Sequence, residues 1–308
     1  MLPTGEPITT GLIILIAVLA DWLFGEPRRG HPLAGFGRLA GAVERRWNRP
    51  GQQRWRGALA VVLLAGVPAL GAGLLGRLPG VGPVAAILLL YLAIGARSLG
   101  DHAAAVAAPL ERGDLTAARS AVGRLVSRET AGLDEAGVAR AGVESVLENG
   151  ADAVFGALFW LVVLGLPGLV AYRLINTLDA MWGYRTERLR AFGWAAARLD
   201  DVLNWPVARL TALTYALVGR TRTALACWRS QGSQWKSPNA GAVMAAGAGA
   251  LGVTLGGPAA YHGAPEDRPR LGRGGGSGPA DLRRAMGLVR KGLILWVLAI
   301  IAGDWLLA

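Results

Sequence analysis

Between Glu144 and Asn204 the chain sets Glu144, Glu148, Asn149, Asp152, Asn176, Asp179, Asp200, Asp201 and Asn204 around the apolar run 153–174. A charged group costs about 2.5–3.5 kcal/mol at a bilayer centre on insertion scales. So many acidic groups against one hydrophobic segment therefore restrict the chain to folds that hold them in a polar site. The pattern reads as a phosphate and metal site at a membrane face.

Composition sets the class. With 53% hydrophobic and 17% charged residues over 308 positions, the chain is too apolar for an ordinary soluble domain. Apolar runs at 8–24, 57–75, 83–97, 153–174 and 288–307 approach the length needed to cross a bilayer, 83–97 being short. Weaker ones lie at 205–220, which carries Arg209, and at 240–257, mostly Gly and Ala. The first run is followed by arginines and lacks a basic leader and a small-residue cleavage site, so it is expected to be a retained helix. The expectation is an all-α, polytopic integral membrane protein, one membrane domain over 1–308, whose amphipathic and re-entrant helices form a cytoplasmic-face site. Residues 98–152 read as a mostly helical cytoplasmic segment. Residues 262–280, HGAPEDRPRLGRGGGSGPA, read as a flexible Gly/Pro-rich connector with no chemistry in its glycine run. No stretch alternates with strand periodicity over a useful length.

The net charge of +11 comes almost wholly from arginine, Lys236 and Lys291 being the only lysines. These arginines flank apolar runs instead of forming one basic domain with interleaved aromatics, which argues against nucleic acid and fits the positive-inside bias. Arg28, Arg29, Arg38, Arg45, Arg46, Arg49, Arg54 and Arg56 then place the first loop in the cytoplasm. The single Cys227 rules out an intrachain disulfide and leaves a cysteine-based metal site without support.

Topology poses a conflict. A single crossing by 153–174 would put Glu144 to Asp152 and Asn176 to Asn204 on opposite sides of the membrane. Leu166-Pro167-Gly168 offers another path, in which the run dips in and returns or lies along the interface.

Glu144, Glu148 and Asp152 fall at i, i+4 and i+8, one face of a continuous helix, where like charges repel by a few tenths of a kcal/mol unless a cation offsets them. Either that face is simply solvated, or it is catalytic. The mixed Asp and Asn oxygens of Asn176, Asp179, Asp200, Asp201 and Asn204 suit a hard cation such as Mg²⁺. Arg185, Arg188, Arg190 and Arg198 lie between them, and guanidinium forks suit phosphate oxygens. The roles assigned are Mg²⁺ ligation for Asp179, Asp200 and Asp201, and phosphate clamping for Arg185 and Arg188. Glu144 and Glu148 are the base candidates, with Asp152 a further catalytic candidate.

Other catalytic signatures are absent. Trp235-Lys236-Ser237 lacks the glycine of a phosphate-wrapping loop, and there is neither G-x-S-x-G nor H-E-x-x-H. Asp101 and His102 are adjacent, so on a helix they point apart, which favours a surface role over an acid/base pair.

Four segments, in order, carry a resemblance: DWLFGEPRRGHPLAGFGRL at 21–39, VGRLVSRETAGLDEAGVARAGVESVLENGADAVFGALFW at 122–160, NTLDAMWGYRTERLRAFGWAAARLDDVLNWPVARLTAL at 176–213, and SPNAG at 237–241. The chain resembles the CobD/CbiB family of cobalamin biosynthesis, the adenosylcobinamide-phosphate synthases, over nearly its whole length. That resemblance implies ATP-dependent amide formation between adenosylcobyric acid, the corrinoid substrate, and aminopropanol or its phosphate. It implies the cytoplasmic face of the cell inner membrane, with ATP and Mg²⁺, and membrane lipid as surroundings. Other membrane enzymes of the corrinoid pathway are the candidate protein partners, and nucleic acid is not one. The matched segments add His31, Arg38, Asn149, Asn176, Tyr184, Asn204 and Asn239 as substrate- or phosphate-binding candidates, Asn239 also standing where it could cap the next helix. Two other classes stay open. A Mg²⁺-dependent prenyl or phosphatidyl transferase would need a D-x-x-x-D or D-x-x-D-G spacing, and a non-catalytic subunit or transporter predicts ionisable residues in mid-helix.

Overall fold

Leucine-, valine- and alanine-rich runs without strand alternation have helix as the means of satisfying their own backbone polar groups in an apolar setting. The computed structural model describes residues 9–27, 30–261 and 264–307, so Arg28, Arg29 and His262 lie outside the described residues. The helices are α1 (Thr10–Phe24), α2 (Pro32–Trp47), α3 (Gln53–Val61), α4 (Val67–Gly76), α5 (Val81–Ile94), α6 (Ala96–Glu111) and α7 (Leu115–Val122). They continue as α8 (Glu135–Asn149), α9 (Gly156–Trp182), α10 (Trp194–Val218), α11 (Thr221–Gln231), α12 (Pro238–Leu251) and α13 (Pro279–Leu307). π-Helical turns at Val62–Gly66 and Gly150–Phe155 join α3 to α4 and α8 to α9. Among the described residues, four helical stretches are long and apolar enough to cross a membrane: Gln53–Gly76, Val81–Glu111, Glu135–Trp182 and Pro279–Leu307. The all-α, multi-pass reading is borne out.

The chain divides into two compact units, one of Met1–Ala96, Asp152–Trp205 and Val297–Ala308, the other of Arg97–Ala151 and Pro206–Trp296. In the first unit α9 is not one rod. Gly165 adopts φ 68°, ψ −152°, just ahead of Pro167. That region of backbone space is open essentially to glycine alone. In a straight helix residues 156 and 172 would stand about 24 Å apart at about 1.5 Å per residue. Instead, a Cβ on Gly156 would strike the Tyr172 hydroxyl, and one on Gly168 would come 2.5 Å from the Trp160 carbonyl oxygen. The limbs 156–164 and 166–182 therefore pack antiparallel. The apolar run doubles back at Gly165, the path that Leu166-Pro167-Gly168 made available.

Around the second limb Ala60, Val61, Ala65, Leu174, Ile175, Leu178, Trp182 and Phe192 form a core. Trp182 and Phe192 meet edge to face, centroids 5.0 Å apart. Gly57 permits α3 to approach so closely that a Cβ there would strike the Phe192 carbonyl.

In the second unit α12 is buried from Asn239 to Leu251. Its 14 residues cover only about 21 Å, so the Gly/Ala run 240–257 is corrected from a weak span to a central core helix. Small side chains make this possible: a Cβ on Gly249 would come 2.7 Å from the Thr223 carbonyl oxygen of α11. Ser237, not Asn239, caps α12, its hydroxyl accepting from the Ala240 amide at 3.3 Å.

The connector reading of 262–280 also needs correction. Strand β1 (Thr254–Gly256) pairs antiparallel with β4 (Arg270–Gly272), and β2 (Ala259–Tyr261) with β3 (Ala264–Glu266). Leu271 and Arg268 are buried. Each strand has three residues, too few for alternation to show in the sequence. The stabilising partner of Arg268 lies 124 positions away, where composition has no view of it.

Gly165→Val forces a β-branched residue into the reversal. It is expected to cost about 1–3 kcal/mol and to lower the thermal midpoint of the detergent-purified protein. An unchanged midpoint would mean the reversal does not depend on this glycine.

Candidate active site

Tyr172, Asn176 and Asp179 recur at helical spacing along the second limb of α9, and Asp200 and Asn204 stand one turn apart on α10. Asp200 accepts on both oxygens, from Asn176 Nδ2 at 3.1 Å and from Asn204 Nδ2 at 3.0 Å. The amide oxygens are used as well. Asn176 Oδ1 accepts from Arg173 Nη1 at 3.0 Å, and Asn204 Oδ1 lies 2.8 Å from the Tyr172 hydroxyl. The same hydroxyl lies 2.8 Å from the Asp152 carbonyl oxygen. Both amides can satisfy these partners in only one orientation, so the network is directional.

Burial pushes the Asp200 carboxyl above the ordinary carboxylate range. The Asn176 and Asn204 amides oppose that shift, and the neighbouring Asp201 adds to it. Asp179 stands within electrostatic reach of Asp200 and Asp201. Gly183 leaves room for it, since a Cβ there would strike the Asp179 carboxylate. Asp201 is half-exposed, 3.9 Å from Arg198.

Among the described residues no group of three or more His, Cys, Asp or Glu side chains is arranged to hold a metal ion. The donor set does not form an all-protein cage. It does fit magnesium carried on phosphate oxygens, which takes only one or two carboxylates and otherwise keeps water.

Tyr172 and Arg173 were missed in the sequence. Their signal was present: a phenol and a guanidinium inside an apolar run, where each needs partners. Arg173 has Glu26 and Asp152 within electrostatic reach, and its buried Nε has no hydrogen-bond partner among the described residues.

The remaining candidates of this unit are placed differently. Arg188 grips the buried Glu44 of α2 with both arms, Nε to Oε1 at 3.1 Å and Nη2 to Oε2 at 2.5 Å. Asn48 ties the same pair, donating to Glu44 Oε1 at 2.7 Å and to the Arg188 carbonyl at 2.9 Å. The fork assigned to phosphate is occupied, so Arg188 is corrected to a fastening of the 183–193 turn. Tyr184 and Arg185 are exposed on that turn, and Arg38 is exposed on α2. His31 caps α2, its Nδ1 accepting from the Leu33 amide at 3.2 Å.

Glu144, Glu148, Asn149 and Asn239 belong to the second unit. Glu144 is buried and fully engaged: Oε1 accepts from the Gly256 amide at 2.7 Å, and Oε2 meets Arg128 Nη1 at 2.9 Å and Arg268 Nη1 at 3.2 Å. A general base needs a free lone pair directed at substrate. Glu144 is instead the hub that fixes β1 and the segment before β4 to α8. Glu148 is exposed, and Asn149 donates to the Ser145 carbonyl at 2.8 Å. The π-helical turn at Gly150–Phe155 begins beyond Glu148, so the i, i+4, i+8 face is not carried in strict α-helical register to Asp152. Asn239 is buried and accepts from Arg209 Nη1 at 2.5 Å. His102 Nδ1 lies 2.8 Å from the Ser98 carbonyl oxygen on its own helix, in keeping with a helix-surface role.

Fold and site together define a helical protein of multi-pass membrane type with an aspartate–amide cluster beside a reversed apolar helix. The chain belongs to the CobD/CbiB family: the model described as CobD/Cbib protein matches residues 14–289. It is 57% identical over 299 residues to the cobalamin biosynthesis protein CobD of Stutzerimonas stutzeri (strain A1501), covering 96% of this chain and 99% of that protein. The protein of the same name from Chromobacterium violaceum is 57% identical, with 94% and 95% covered. That from Mycobacterium tuberculosis (strain H37Rv) is 45% identical, with 92% of each covered. No solved structure matches the chain.

Removing the Glu144 carboxylate leaves two buried guanidinium groups facing each other. Glu144→Ala is expected to destabilise the protein by about 3–5 kcal/mol, read as a lowered thermal midpoint or loss of monodisperse protein. A variant with wild-type stability and no activity would return Glu144 to the list of bases.

Proposed function

We propose that the protein is an ATP-dependent acid–amine ligase of cobalamin biosynthesis, joining the free carboxylate of adenosylcobyric acid to aminopropanol or its phosphate. Family membership supports the role in cobalamin biosynthesis. The single observation that supports the chemistry is the half-buried Asp200, held between two amides with Asp179 and Asp201 beside it.

A carboxylate is a poor acyl donor because its leaving group would be an oxide. In the proposed reaction a corrinoid carboxylate oxygen attacks the γ-phosphorus of ATP, ADP departs, and an acyl phosphate results. The amine nitrogen then attacks the acyl carbon, phosphate leaves, and the amine proton passes to a carboxylate base. Asp152, in the same unit as the cluster, is the base candidate now that Glu144 is committed to its arginines. One or two of Asp179, Asp200 and Asp201 would hold a magnesium carried by the nucleotide, and that ion would offset phosphate charge as it develops. Arg173, held by Asn176, and the exposed Arg185 supply cations for the same charge. Asn176 and Asn204 position Asp200, and Tyr172 positions Asn204. The arginines of 38–56 support a cytoplasm-facing site in the inner membrane.

The test is detergent-purified protein supplied with adenosylcobyric acid, ATP, Mg²⁺ and each amine in turn. Corrinoid amide and ADP are expected in equal amounts, and failure with both amines would overturn the proposal. Asp200→Asn is expected to lower the rate about 100-fold or more. At limiting Mg²⁺, proton and cation compete for Asp200. Because burial raises its pKa, activity should fall as pH drops through a value above the ordinary carboxylate range, and added Mg²⁺ should move that limb to lower pH. A limb indifferent to Mg²⁺ would remove Asp200 from the metal site.

A further inference from the structure

The glycine run 274–276 lines a cavity of about 210 Å³ in the second unit, together with Arg140, Thr254, Leu255, Gly256 and Arg270. Three elements build it. Arg140 projects from α8, one turn before Glu144. Arg270 begins β4, opposite Gly256 in the register of the β1–β4 pair. The glycine run closes the third side, anchored to β1 by the Thr254 amide on the Gly275 carbonyl at 2.9 Å and the Thr254 hydroxyl on the Gly274 carbonyl at 2.9 Å. Backbone, not side chains, therefore forms that wall.

The charge balance is the telling feature. Arg140 and the exposed Arg270 both line this small concavity, yet neither has a carboxylate partner among the described residues. The nearest acid along α8, Glu144, is already shared by Arg128 and Arg268 and bonded to the Gly256 amide. Two guanidinium groups lining one small cavity suit an anion with several acceptor oxygens, which can fill both forks. The volume is below the roughly 300–1,000 Å³ typical of pockets for whole drug-sized ligands. It suits a phosphoryl group and a short substituent, with any larger remainder outside.

We propose that this pocket binds a phosphomonoester or the terminal phosphate of a polyphosphate, through Arg140 and Arg270 against the glycine wall. Two sources share that chemistry: a short aminoalkyl phosphate and a nucleotide. Assigning either as the substrate held here rests on the amide-forming reading, whereas the phosphate site does not.

The experiment is calorimetric titration of the full-length, detergent-purified protein with aminopropanol phosphate, aminopropanol, a non-hydrolysable ATP analogue and inorganic phosphate. Arg140→Ala and Arg270→Ala are each expected to weaken phosphate-dependent binding about tenfold or more. Gly276→Val is the companion variant: Gly276 lines the cavity and a Cβ there meets nothing within 4 Å, so the fold tolerates a branched side chain at the cavity wall. Loss confined to aminopropanol phosphate supports the site and names the amine as source; loss confined to the ATP analogue supports it and names the nucleotide. The proposal is overturned if the wild type binds no phosphate compound, or if the folded variants bind them all as the wild type does. Arginine-dependent phosphate binding by a protein that forms no amide would sink the ligase reading and leave this site standing.

Discussion

The reversal of α9 at Gly165 is the constraint on which the candidate site depends. A positive φ at one residue lets the apolar run fold back, and only then does the Tyr172 hydroxyl reach both the Asp152 carbonyl and Asn204. Through Asn204 the contact extends to Asp200, and through Asp200 to Asn176 and Arg173. Each member uses its polar atoms on the next, which is how a polar group persists beside hydrocarbon without paying the full desolvation cost. The network is thus a consequence of backbone geometry before it is a matter of chemistry.

The second unit solves a related problem with charge. Glu144 would be untenable alone in its buried position, and so would Arg128 or Arg268. Together, with the Gly256 amide, they pair their charges and fasten β1 and the segment before β4 to α8. That anchoring in turn shapes the glycine wall beside Arg140 and Arg270. A carboxylate that resembles a base in the linear chain acts here as a structural fastener.

Much was legible in the residues. Helical class and multi-pass character follow from composition and run length, and the family follows from four matched segments in order. Asn176, Asp179, Asp200 and Asn204 stand out as candidates in the sequence by residue type and by spacings of three and four that suit a helix, and the structure joins Asn176, Asp200 and Asn204 by hydrogen bonds. The readings that required correction involved distant partners. Arg188 read as a phosphate clamp until Glu44, 144 positions away, filled its fork. Residues 262–280 read as a connector because Gly and Pro dominate them, although Arg268 and Leu271 are buried. Tyr172 and Arg173 were passed over because they sit inside a hydrophobic run whose average conceals them.

By itself the sequence determined that this is a helical protein with runs able to cross a membrane, a member of one family, carrying acids and amides at helical spacing. Those properties are local sums over neighbouring residues. Only the tertiary structure decided that the 153–174 run returns on itself, that Asp200 is shared by two amides, and that Glu144 is bound to arginines. Each of these rests on a contact between groups far apart in the chain, and the role of a buried charge is set by whichever opposite charge or donor folding brings to it.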